Sequence, residues 1–144
     1  MKLLAYKSKP APGIDIDKVL NDIFNRSRGY NSAHNIHGVL FFTGKCFVQV
    51  LEGPSEELTS LLKKIRTDKR HTDITVLYDT TIDSYSLSDW NMEPLNLTAC
   101  DFPLQSLQKT IEAVASTLKL DAAAFIFLLT DLLNEPEFRR ALNQ

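Results

Sequence analysis

A glutamine inside an apolar run is the first residue that demands a chemical reason. Gln49 lies in Phe47-Val-Gln-Val-Leu51, a stretch otherwise apolar enough to be a central strand. A primary amide there costs a few kcal/mol unless its donors and acceptors are met. A tyrosine hydroxyl on an adjacent strand would meet them, and so would a ligand carbonyl. Tyr6 stands in another strand-like run, sharing a face with Leu4 and Ser8. Taken alone it is a half-buried core tyrosine. Asn31 follows a helical pattern and has two readings. It can cap the helix in a left-handed conformation, or it can donate and accept along the edge of a planar heterocycle. The cluster Lys64, Arg66, Lys69, Arg70 and His71 is a solvated helix end set against the negative pole of the dipole. The same cluster would also suit a phosphate.

Other constellations are missing or bland. His34 and His37 alternate with apolar residues, and no cysteine or carboxylate shares their spacing, so a metal is not expected. Cys46 and Cys100 have no redox or metal spacing and read as free thiols of a reducing cytoplasm. Glu52-Gly53-Pro54 reads as punctuation between strand and helix. No nucleophile elbow, phosphate loop or dinucleotide glycine fingerprint occurs. The chain has 144 residues, 44% of them hydrophobic and 24% charged, enough for one globular core. A net charge of -2 gives no electrostatic case for nucleic acid or an anionic membrane. No signal peptide is expected, and no apolar run approaches the ~20 residues of a span. The most apolar stretch, Ala122 to Leu133, contains Asp131.

Elements must bring these residues together. Lys2 to Ser8 reads as a strand, broken by Lys9-Pro-Ala-Pro-Gly13. Asp15 or Asp17 caps a helix whose Ile16, Val19, Leu20, Ile23 and Phe24 share a face. Its end is expected near Gly29 or Asn31. Ile36 to Thr43 and Cys46 to Glu52 flank a glycine turn and form a β-hairpin. Gly53-Pro54-Ser55 then stops the strand and caps a second helix carrying Leu58, Leu61, Leu62 and Ile65. Ile74 to Tyr78 and Trp90 to Leu95 are further strands. The order βαββαββ belongs to the α+β class and predicts an antiparallel sheet with two helices on one face, the ferredoxin-like arrangement. Leu104 to Leu118 and Ala122 to Leu142 carry helical periodicity, with Asp121 as a cap between them. They predict a C-terminal helical hairpin that covers the sheet's second face or pairs with another chain. The expected division is residues 1–96 and an extension over residues 97–144.

Tyr6-Lys-Ser8, Ser27-Arg28-Gly-Tyr-Asn31, Phe47-Val-Gln49-Val-Leu51-Glu52-Gly53, Asp68-Lys-Arg70-His71 and Trp90-Asn-Met92 occur in that order. Together they resemble the BLUF domain, a family of blue-light sensors that hold a flavin. The resemblance implies FAD bound without a covalent link, its ring gripped between the two helices and its adenine end toward solvent. It implies Ile23 lining the ring and Asn31 on the pyrimidine edge, with Lys64, Asp68, Arg70 and His71 near the ribityl and phosphate portion. It also implies photochemistry with no substrate turnover, hence no enzyme. Tyr6 would donate an electron while a proton moves through Gln49. Gln49 would then rotate or change tautomer, strengthen its bond to the flavin C4 carbonyl and produce a small red shift. Trp90 and Met92 match a pair whose exchange between inward and outward positions is one proposed switch. They would bias the helices of residues 105–142. With no output domain in this sequence, the chain resembles the short members, which signal to a separate protein or through their own assembly. A cytoplasmic homo-oligomer is the expectation.

The sequence departs from the family at several positions. His37 replaces a common threonine. Near the pocket it would tune recovery or add pH dependence; otherwise it points to solvent. Tyr85 and Leu87 stand where an arginine and a phenylalanine are usual, which bears on the packing of the last strand. Tyr30 has only a lining role. Two other readings compete: a light-silent ferredoxin-like protein-interaction module, and a small flavin enzyme. Tyr6, Asn31 and Gln49 are all present, against the first. The chain lacks a nicotinamide site and an evident acid–base pair, against the second.

Overall fold

The computed structural model describes residues 1–98, 109 and 121–134. Its strands are β1 (Lys2–Pro10), β2 (His37–Phe42), β3 (Phe47–Gly53), β4 (His71–Thr81) and β5 (Asn91–Asn96). The helices defined among these residues are α1 (Ile16–Ala33), α2 (Ser55–Thr67) and α3 (Ala122–Leu133). The sheet has five strands in the order β4-β1-β3-β2-β5.

Strand alternation divides the apolar residues between two layers. Leu4, Leu40, Phe42, Phe47, Leu51 and Met92 face Val19 and Leu20 of α1 and Leu58 of α2. Leu3, Ala5, Val39, Phe41, Val48 and Val50 point the other way, toward Phe125, Leu129 and Leu133 of α3. Those three lie four residues apart, on one helical stripe. Burial of each such side chain contributes roughly 1.5–3 kcal/mol. α3 therefore covers part of the second face, one of the two placements expected for the C-terminal hairpin. Asp121 caps it, accepting from Ala124 N at 2.7 Å. The other expected C-terminal helix, Leu104 to Leu118, lies outside the described residues except Lys109, as does everything beyond Asn134.

The sheet is mixed, against the antiparallel expectation. β1 pairs antiparallel with β3 and β4, and β3 with β2, but β5 runs parallel to β2. Geometry explains it. β4 and β5 lie at opposite edges, four spacings or about 19 Å apart. The connection Ile82 to Trp90 crosses one end of the sheet and β5 starts there; an antiparallel β5 would require the same loop to climb the sheet as well. Edge placement also tolerates Pro94, which has no amide to donate.

Helix and strand ends differ from expectation too. α1 runs through Gly29 and Asn31 to Ala33. Its cap is His34, whose N–H is shared by carbonyls of the last turn, and the left-handed residue is Asn35 at φ 57°. Stacking of Tyr30 on His34, with ring centroids 4.0 Å apart, supports the extra turn. Asp15 caps the other end by accepting from Lys18 N. At α2, Pro54 is the N-cap and makes no side-chain bond. Ser55 is already helical there, and Glu56 and Glu57 meet the positive pole instead. β4 extends well beyond Ile74 to Tyr78 because β1 pairs with it along its length.

One glycine is required by close approach. A Cβ on Gly38 would lie 2.2 Å from Val50 O. Gly38 N also accepts no substitute geometry lightly, since it donates to Trp90 O at 2.9 Å and docks the start of β5. Gly38→Ala should therefore destabilise the fold by about 1–3 kcal/mol, lowering Tm by roughly 3–10 °C in a thermal melt. Gly29, exposed in α1 with open space around its Cβ direction, should give the opposite sign. Gly29→Ala is expected to raise stability by about 0.5–1 kcal/mol.

Candidate functional site

Tyr6 and Gln49 are register partners on adjacent antiparallel strands. The Tyr6 hydroxyl donates to Gln49 Oε1. Gln49 Nε2 donates in turn to Met92 Sδ at 3.0 Å. All three side chains are buried. Three strands thus contribute one continuous chain of groups: a phenol on β1, an amide on β3 and a thioether on β5. Burial pushes the Tyr6 phenol well above the usual value of 10.0, so it is a neutral donor at any physiological pH. The tyrosine meets the Gln49 carbonyl as the first of the two readings expected, and the Met92 sulfur meets its NH₂.

Met92 reaches Gln49 through an irregular backbone. The register between β2 and β5 shifts at Gly38 and Val39, which oppose Asn91 and Glu93. Met92 is the extra residue, at φ 69°. A non-glycine residue rarely holds that conformation unless its surroundings fix it. Trp90, two residues earlier, is buried in the α3-facing layer. The two members of the expected switch pair therefore lie on opposite faces, with Met92 inward.

Above this floor a cavity of about 320 Å³ opens between α1 and α2, within the ~300–1,000 Å³ typical of small-molecule sites. Val19, Ile23, Arg26, Ser27 and Asn31 line it from α1. Their spacing of three and four puts them on one helical face. Leu61, Lys64 and Ile65 line it from α2, followed by Asp68, Arg70 and His71. All the expected binding residues are therefore brought together. Arg26 was missed, although it stands three residues after Ile23 on the same face; that periodicity would have found it.

The ends of the cavity differ in chemistry. Asn31 is 2% exposed, and its side-chain amide makes no hydrogen bond to another described residue. It sits inside the last turn of α1 and is not its cap. An alternating donor–acceptor edge is what such an amide lacks. Arg26, Lys64 and Arg70 make the rim cationic. Asp68 holds Arg70 by a forked pair, with Arg70 Nε 2.9 Å from Oδ1. That guanidinium keeps the Asp68 carboxyl below its ordinary value. His71 is committed to the protein. Its Nε2 faces Ile65 O at 2.8 Å, so that nitrogen carries the proton, and Nδ1 accepts from the Ser8 hydroxyl at 2.7 Å. The ring thus ties β1 to the end of α2 as a wall of the cavity.

Other readings need revision. Tyr30 does not line the cavity. It stacks on His34, donates to Glu57 Oε2 at 3.4 Å and carries the Lys64 ammonium 5.4 Å above its ring. It joins α1 to α2. His37 lies on the α3-facing side of the sheet, beside Tyr85; neither the pocket nor open solvent is its place. Glu52 is not punctuation: it is buried at 1% exposure and accepts hydrogen bonds from Ser86 N and Leu87 N.

An apolar slot between two helices, an unpaired amide at its inner end and cations at its rim fit a flat heterocycle carrying phosphates. The described residues hold no cluster of three or more metal-ligating side chains. None of their helices is long and apolar enough to cross a membrane.

Comparison with known proteins gives the same picture. The chain is 31% identical over 127 residues to the photoactivated adenylate cyclase subunit alpha of Euglena gracilis, covering 88% of this chain and 11% of the relative. It spans about a tenth of the length of the curated relatives it matches. Among solved structures, the photo-activated state of BlsA superposes with a TM-score of 0.74 at 29% identity, covering 94% of this chain and 96% of that one. A bacterial light-regulated adenylyl cyclase superposes with a TM-score of 0.72 at 29% identity, covering 92% of this chain and 40% of that one. The family of sensors of blue-light using FAD matches residues 1–93. On that match, and with Tyr6, Asn31 and Gln49 gathered around one cavity, the chain belongs to the BLUF family, whose members sense blue light with FAD.

Proposed function

We propose that this chain is a light-operated switch in which Tyr6 and Gln49 carry the photochemistry and β5 carries the signal. The observation that supports it most directly is the hydrogen-bonded series Tyr6–Gln49–Met92 along the floor of the cavity. FAD, when bound, supplies blue-light absorption and an electron-accepting ring. Ile23 and Asn31 would hold that ring, and Lys64, Asp68, Arg70 and His71, with Arg26, would hold or shape the region of its phosphates.

The hydrogen-bonded geometry supports the following steps for the protein's own groups. Tyr6 gives up an electron, and its hydroxyl proton passes to Gln49 Oε1 along an existing hydrogen bond. An amide carrying that proton no longer accepts there and must rearrange. Its Nε2 contact to Met92 Sδ is then released or redirected. Met92 sits at a strained bulge, so a change in one hydrogen bond can alter the position of β5. The signal leaves through β5 and the Trp90 side of the sheet into residues 97–144, and residues 1–96 form the sensory unit. A separate signalling protein, or a second copy of the chain, reads it. The relatives' cyclase activity belongs to those longer proteins.

The first test is the visible spectrum of the FAD-loaded protein before and after blue light. A small red shift that decays in darkness is expected. Tyr6→Phe removes one oxygen and should abolish the shift while FAD stays bound, and Gln49→Leu should do the same. A shift that persists in Tyr6→Phe would end this assignment.

The Asp68–Arg70 pair adds a pH prediction. The Asp68 value is lowered by Arg70, so the pair's contribution is present above the ordinary carboxylate value of 3.8 and is lost as pH falls through the lower folded value. Urea midpoints of wild type and Asp68→Asn should differ modestly at neutral pH, since both side chains are partly exposed. They should converge in acid.

A further inference from the structure

Glu52 is a buried carboxylate that the photochemistry does not use. It follows Gln49 by three residues on β3 and so faces the opposite side of the sheet. Its Oε1 accepts from Ser86 N at 2.8 Å and Leu87 N at 2.6 Å, and Oε2 from Ser86 N at 3.0 Å. Those two amides belong to the connection between β4 and β5. Leu87, fully buried, accepts in turn from Trp90 N at 2.9 Å. Trp90 O accepts from Gly38 N at 2.9 Å, next to the register shift that produces the Met92 bulge. A series of hydrogen bonds therefore runs from Glu52 through Leu87 and Trp90 to Gly38, which pairs with Asn91 beside the bulge at Met92.

Stability alone does not account for this carboxylate. Burial raises its pKa, with the Leu87 and Ser86 amides and nearby His37 opposing the rise. A folded value above the unfolded 4.5 means that the folded state holds the proton more tightly, so this group's contribution to stability falls as pH rises. Among the described residues, the titratable groups near it are these. β2 supplies His37, whose Nδ1 is buried with no partner among the described residues, and the loop supplies Asp83 and Tyr85. β1 supplies Leu3, β4 supplies Thr80 and Thr81, and α3 supplies Ala122, Ala123 and Ile126, all uncharged.

We propose that Glu52 is a positioning residue for the light response: its carboxylate latches the Ser86–Leu87 peptide and thereby fixes where β5 begins and where Met92 meets Gln49. This inference rests on the photoreceptor reading above. The latch favours the dark position of β5. Weakening it slows the return from the lit state without touching the Tyr6–Gln49 pair on the other face.

The test uses FAD-loaded wild type, Glu52→Gln and His37→Gln. Absence of a red shift in wild type would sink the photoreceptor reading itself, before the latch is at issue. With the shift present, Glu52→Gln should keep it in full. Its dark recovery should be roughly three- to tenfold slower, because charged hydrogen bonds are about twice as strong as neutral ones. Wild-type recovery should slow toward the Glu52→Gln rate as pH falls through the raised folded value of Glu52, above the ordinary carboxylate range, and Glu52→Gln should lack that step. Wild-type recovery and pH profile in Glu52→Gln would overturn the latch, as would a pH step that disappears only in His37→Gln. Amide exchange in wild type decides the matter even if Glu52→Gln folds poorly. Ser86 and Leu87 should be protected in the dark and exchange faster under illumination; identical exchange in light and dark would overturn the proposal.

Discussion

A primary amide at the centre of an apolar sheet has to satisfy its hydrogen bonds inside the protein. Gln49 is that amide, and much of the site is arranged around it. Its carbonyl is met by Tyr6 on β1 and its NH₂ by Met92 on β5. Both partners are apolar enough elsewhere to belong to a core. The arrangement links the middle of the sheet to an edge, which is the route by which a local electronic event can move backbone. Had Gln49 faced only aliphatic neighbours, it would be a liability of a few kcal/mol.

The two faces of the sheet divide the labour. One face, under α1 and α2, holds the cavity, with a neutral phenol below, an unpaired amide at the inner end and cations at the rim. The other face, under α3, holds Trp90, Glu52 and the connection to β5. β5 belongs to both, because its Met92 and Leu95 lie in opposite layers, with Trp90 just before it on the Leu95 side. A strand at the sheet's edge has a free side and can shift more readily than a central strand. Its parallel pairing, its bulge and its proline all mark it as the least regular part of the sheet.

Glu52, read as punctuation, Tyr30, read as lining, and His71, read as a cofactor neighbour, all prove to be joints. Glu52 holds a distant loop by its amides. His71 ties β1 to the end of α2 while forming a wall of the cavity. Tyr30 fastens the two helices through Glu57 and Lys64. Each links segments far apart in sequence, and none belongs to a local pattern, so each is invisible to periodicity.

Much of the outcome was determined by the chain's local chemistry alone. The alternation of apolar residues in β1, β2 and β3, and the three- and four-residue spacing in α1, α2 and α3, are local requirements of burial, and they yield βαββαββ directly. Gln49 announced a buried polar partner because the cost of an unmet amide does not depend on the fold. The fixed order of Tyr6, Asn31, Gln49 and Trp90-Asn-Met92 carried the resemblance to light sensors that use FAD. Tertiary structure alone decided the rest. The parallel direction of β5 follows from how far one loop must travel. The last turn of α1 depends on a ring stack, and the placement of His37 on the far face depends on strand parity. Glu52 and Leu87 are 35 residues apart, and no local preference encodes a hydrogen bond across that distance; only the folded sheet brings the carboxylate and the amide together.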